Sequence, residues 1–254
     1  MLAALLAVLQ VTVPPPRGYV NDFAGVLDAA SVARMEAVIA EVRERTSGEI
    51  AVVTLADIGD RAPSDVALQI GREWGVGARA EAGDPTKNVG VVILLVPLKD
   101  HRSGTGAVFI ATGRGAEGFL PDARVGRIRD AMIPDLAREA YGAGLTTGVE
   151  MVAAVIAEEF GVTLTGELRR APPVDAPGRR VPSGWVLALF LLLVILSRGR
   201  ILLWPFMFGG MGGRHRGRWG GWGGGGGRGG FGGGGFGGFG GGGGFSGGGA
   251  GGRF

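Results

Sequence analysis

The sequence predicts an α/β domain, a small central sheet sandwiched between helices, followed by one transmembrane helix and a disordered glycine-rich tail. Three observations carry this. Between Tyr19 and Val162 the hydrophobic positions alternate between helical and extended spacing. Val181 to Ser197 is an uncharged apolar run bounded by Arg180 and Arg198. Of the 53 glycines, 31 fall after residue 196, too dense a population for a packed core.

Charge divides at the same place. Residues 1–196 carry 19 basic and 23 acidic side chains, whereas the last 58 residues carry seven arginines and no acid. The absence of cysteine excludes disulfide scaffolds, thiolate zinc sites and cysteine nucleophiles.

Segment 1–16 is signal-peptide-like: Met1 to Val13 is apolar and uncharged, and Pro14 to Pro16 stop any helix. The α/β domain is assigned to 17–165. Its first helix follows from Val32, Met35, Ile39 and Val42 at helical spacing, ending near Thr46-Ser47-Gly48. Ile50 to Leu55 is short and β-branched, hence a strand. Ser64 to Trp74 reads as a second helix closed by Gly75-Val76-Gly77. The unbroken apolar run Val89 to Val96 suits a strand covered on both faces, and Val108 to Thr112 supplies a third. Helices follow over Asp122 to Ile133 and Ala143 to Phe160, with Pro134 as the interruption between them. A linker (166–180) leads to the transmembrane helix (181–203).

At about 1.5 Å per residue that helix just reaches across a hydrocarbon layer of about 30 Å. Arg198, Arg200, Arg214, Arg216 and Arg218 follow it, while Arg169, Arg170, Arg179 and Arg180 precede it. The comparison is close. The signal-like start settles the orientation: a single-pass cell-membrane protein with the domain extracytoplasmic and the tail (204–254) cytoplasmic. From Gly209 onward 30 of 46 residues are glycine, and the chain entropy of such a segment predicts disorder. Its Arg-Gly and aromatic interleaving is a faint nucleic-acid signature, outweighed by a flexible tail whose arginines attract anionic lipid.

Chemistry-bearing patterns are few. His101 and His215 lie on opposite sides of the apolar run, no G-x-S-x-G is present, and His101 reads as an exposed loop residue. Gly113 to Gly118 matches G-x-G-x-x-G, but it is not on the first strand, Pro121 delays the helix, and no acid closes a strand about 20 residues on. A tight glycine loop whose amides can receive an anion is the better reading. Asp22, Glu117 and Asp122 lie where elements of an α/β domain converge; acids held together repel, and a hard cation with oxygen ligands relieves them. Helix-capping and turn roles for Asp22 and Asp122, with Glu117 solvated, account for the same residues equally well.

YVNDFAGVLD (Tyr19 to Asp28), REWGVG (Arg72 to Gly77), KNVGVVILLV (Lys87 to Val96) and TGRGAEGFLPD (Thr112 to Asp122) follow one another as in the TPM domain family. The layout and the ending GGFSGGGAGGRF resemble its bacterial membrane-anchored members. The resemblance implies an α/β sandwich and a divalent metal, calcium or else magnesium, with Asp22, Asn88, Glu117 and Asp122 as candidate ligands. It also implies acid phosphatase activity, which is associated with plant chloroplast members. Ser103 to Gly106 departs from the family pattern as an insertion.

Three functions are therefore expected in order. The first is a calcium-binding accessory, anchored in the lipid bilayer, for folding or quality control of envelope or membrane proteins. The second is a metal-dependent phosphatase in which Glu117 and Asp122 hold the ion and the Gly113 to Gly118 amides receive phosphate. The third is a nucleic-acid module in the tail.

Overall fold

The computed structural model describes residues 13–81, 83–165 and 238–254. The order is β1 (Val20–Asp22), α1 (Ala29–Thr46), β2 (Glu49–Thr54), α2 (Pro63–Glu73), β3 (Gly90–Val96), β4 (Ala107–Gly113), α3 (Asp122–Leu136), α4 (Tyr141–Glu159) and β5 (Phe245–Arg253). The five strands form one sheet in the order β1-β2-β3-β4-β5. β1, β2 and β3 run parallel; β4 runs antiparallel to β3, and β5 antiparallel to β4.

Local signals set the element ends. Asp28 caps α1 by accepting the Ser31 N–H at 2.8 Å, and Ser47, in a left-handed conformation, closes it by donating to the Arg43 carbonyl. α2 begins with Pro63 in its first turn, where the missing N–H costs nothing.

Because side chains alternate across a strand, the sheet serves two cores. On one face Ile50, Val52, Val91, Ile93, Leu95, Val108 and Ile110 pack with Met35 and Ile39 of α1, Ile128 and Met132 of α3, and Leu145 and Val152 of α4. On the other, Ala51, Val53, Val92, Leu94 and Ala111 pack with Val66, Ala67 and Ile70 of α2. All seven residues of β3 are buried, as its unbroken apolar run requires.

The structure departs from the sequence expectation at three places. β1 forms where only irregular chain is expected; its three residues are held against β2 by pairing of Val20 with Val52 and Asp22 with Thr54. α3 continues through Pro134 to Leu136, because Pro134 lies in the last turn, where one lost backbone bond is offset by burying Leu136 completely. The third departure is the largest. Residues 245–253, within the tail expected to be disordered, form β5, wedged between α2 and α3 and paired along β4 from Ala107–Arg253 to Gly113–Phe245. The run 181–203 expected to cross the membrane, the signal-like start up to residue 12 and the linker lie outside the described residues. Among the described residues, no helix is long and apolar enough to cross a membrane.

Candidate functional site

The antiparallel turn from β3 to β4 brings the end of β4 and the glycine loop after it to the start of β3. There Asn88, with φ of 56°, takes a left-handed conformation and directs its carbonyl to two amides, Gly90 N at 2.9 Å and Gly115 N at 3.2 Å. The loop is thereby tied to the sheet. Ala116 N bonds back to the Gly113 carbonyl and Arg114 N donates to the Gly244 carbonyl. Three amides of the G-x-G-x-x-G segment are thus already satisfied, which weakens its reading as a phosphate cradle.

β5 passes directly over this end of the sheet. Asp122, in the first turn of α3, accepts the Gly249 N–H at 2.8 Å, and the Ser246 hydroxyl donates to the Glu117 carboxylate. The Asn88 carboxamide lies against Gly244, where an added Cβ would sit 2.6 Å from its Cγ. Asn88, Glu117 and Asp122 therefore line one tail segment, between Gly244 and Gly249.

Thr112 gives this place a chemical character. The β4–β5 pairing shifts register between Ala111 and Gly113, and such a bulge re-aims the side chain inside it. Thr112 is fully buried, and its Oγ1 has no hydrogen-bond partner. Its Oγ1 and the Glu117 Oε1 both border Gly248: a Cβ placed there would lie 3.0 Å from each. A buried hydroxyl without a partner costs about 1–3 kcal/mol, and it shares the surroundings of Gly248 with the Glu117 carboxylate, which in turn holds the Ser246 hydroxyl. That donor set is all oxygen, which fits calcium or magnesium and not zinc or copper.

Asp22 does not belong to this group. It ends β1 opposite Thr54, which pairs with Leu95, which pairs with Val108. Glu117 lies beyond Gly113, five residues farther along β4 and three strands across, a separation of about 20 Å from strand dimensions. Asp22 instead ties the β1–α1 turn, accepting Val26 N at 3.2 Å and Leu27 N at 2.9 Å together with the Thr54 hydroxyl. Expecting all three acids to share one ion is corrected accordingly; among the described residues no three acidic or imidazole side chains gather.

Other polar groups stand elsewhere. His101 is exposed in a one-turn helix at 99–101, its Nδ1 2.8 Å from Glu139, and that carboxylate raises its pKa. Glu49, only 2 % exposed, opens β2; it accepts Gly77 N at 2.8 Å and Gly240 N at 2.9 Å and pairs with Arg43. Burial pushes its carboxyl above the usual range, against the pull of those donors. Sequence reasoning missed Glu49, Thr112 and Ser246. Ser246 could have been noticed, since it is the one hydroxyl among the 46 residues from Gly209 onward.

A mixed sheet between one helix and three, with an oxygen-lined loop at the end of its antiparallel strand, defines the class. A family model described as the TPM domain matches residues 20–155, and the chain belongs to that family. Among solved structures, it is similar to the N-terminal domain of a protein from P. gingivalis, with 35% identity over 59% of this chain and 88% of that one, at a TM-score of 0.47. It is also similar to the N-terminal domain of the cg2496 protein from Corynebacterium glutamicum, with 16% identity over 65% and 96% of the two chains and a TM-score of 0.41. No curated protein matches.

Proposed function

We propose that this TPM domain protein binds a divalent cation, calcium in the first place, at Glu117, Asp122 and Thr112, and that it serves as a membrane-anchored accessory to envelope or membrane proteins. One observation carries the cation: the Thr112 hydroxyl is buried without a partner beside the Glu117 carboxylate. An oxygen-seeking ion satisfies both at once; Ser246, bonded to Glu117, and Asp122, bonded to the Gly249 amide of the same tail segment, stand next to it to complete the shell with water. Magnesium, smaller and strictly octahedral, suits two carboxylates and hydroxyls less well than the adaptable calcium shell. Asn88 positions the loop through its backbone, where the sequence reading made it a ligand. The accessory role draws on the apolar run Val181 to Ser197.

The test is thermal unfolding of the full chain in calcium, in magnesium and in chelator. Calcium at a hundred times its Kd raises the unfolding free energy by about 2.7 kcal/mol. Glu117→Ala and Thr112→Val remove that shift while remaining folded in chelator. Equal melting in calcium and chelator for the native chain rejects the cation.

A further inference from the structure

We propose that the C-terminal segment from Gly238 to Phe254 lies on the same, extracytoplasmic side of the membrane as the α/β domain, as that domain's own fifth strand. The claim rests on the membrane anchorage read from Val181 to Ser197; because one crossing would put domain and tail on opposite sides, it replaces the single-pass reading with an anchorage that leaves both on one side.

Domain and tail match sterically across a long stretch of sequence. The ring of Phe245 packs where Gly71 of α2 lacks a side chain; a Cβ there would come within 2.7 Å of it. The ring of Phe254 overlaps the position a Cβ would take on Gly106, in the segment that departs from the family pattern. Phe239 stacks on Trp74, with ring centroids 5.9 Å apart. The match also runs the other way. A Cβ on Gly251 would overlap the Phe109 ring, and one on Gly249 would overlap the Ile110 carbonyl. Domain glycines thus receive tail aromatics, and tail glycines admit domain side chains and backbone. A low-complexity tail destined for another compartment has no reason to meet these requirements in register.

Polar groups repeat the match. Arg72 donates to the Phe245 carbonyl at 2.9 Å, Arg129 to the Gly251 carbonyl at 2.6 Å, and Glu49 and Asp122 accept from Gly240 and Gly249. The last tail residue is bound at both backbone groups: Phe254 N donates to Gly106 O at 3.3 Å, and Phe254 O accepts from Gly104 N at 2.6 Å. Without β5, the long β4 would be an open edge of the kind soluble proteins avoid.

Hydrogen bonds cannot be made through a hydrocarbon layer about 30 Å thick. The chain that leaves the domain at Thr165 must therefore return to the same side by Gly238.

The chain contains no cysteine, which makes introduced thiols unambiguous. In sealed cells the full chain carrying Arg138→Cys in the domain, and separately Arg253→Cys in the tail, is treated with a membrane-impermeant maleimide. Both are expected to label from outside. Labelling of the first from outside and of the second only after lysis overturns the proposal. In a second arm Phe109→Cys is combined with Gly251→Cys, a directly paired position in which the ring that would meet the new Cβ is removed. Mild oxidation is expected to give a disulfide within one chain, while a linked dimer or no disulfide contradicts in-chain pairing. A chain that washes off membranes at alkaline pH refutes the membrane reading, and the topological claim falls with it. A chain retained in the membrane with its tail inside refutes the topological claim alone.

Discussion

Gly249 holds the tail to the sheet at a position no other residue can fill. Its φ of 145° lies outside the range L-residues adopt, and a Cβ would overlap the Ile110 carbonyl. Gly249→Val is expected to displace β5 and lower the melting temperature, whereas Gly247→Ser, strained by its φ of 109° but meeting no neighbouring atom, is expected to change it less. Glu49 makes a second prediction. Its folded pKa is raised by burial, so its stabilising share is complete below the carboxylate range and is lost as pH rises through the raised value. Glu49→Gln keeps an acceptor for Gly77 and Gly240 but carries no titrating group. Relative to this variant, the native chain should lose stability as pH rises above the ordinary carboxylate range, measured by urea midpoints. A parallel pH dependence in both proteins refutes the assignment.

Among the elements, β5 depends on its aromatic anchors. Phe245 is 2 % exposed, and truncating a buried phenylalanine costs about 3–5 kcal/mol. Phe245→Ala should therefore loosen the docked strand, read as faster exchange of the β4 amides that face β5. Normal β4 protection would show that the strand does not depend on this anchor. The other elements were legible in the sequence because each buries a periodic face or an unbroken apolar run. Met35, Ile39 and Val42 mark α1, and the run from Val91 to Val96 marks β3. β5 was not, because its affinity resides in the absence of side chains. Gly249 and Gly251 fit against Ile110 and Phe109, and composition alone gives glycine only its entropy cost. β1 was missed for a related reason: three residues are too few for a period.

In the molecule as a whole, the candidate site was half legible. Glu117 and Asp122 flank a recognisable glycine loop, and the structure brings both to one tail segment. Asp22 was grouped with them because chain order does not reveal which end of a sheet a turn occupies; the antiparallel β4 puts the loop at the far end. Thr112 became visible only with the bulge that isolates its hydroxyl. The resulting picture couples two events, since the strand that supplies Ser246 also covers the carboxylates that would hold the ion. Cation binding and tail docking should each strengthen the other. Hydrogen exchange of the full chain in calcium and in chelator tests this most directly. The account predicts that amides of residues 245–253 are protected in chelator and slow further in calcium, together with those of Ala107 to Gly113. Exchange of the tail at the rate of an unstructured glycine peptide in both conditions would contradict it.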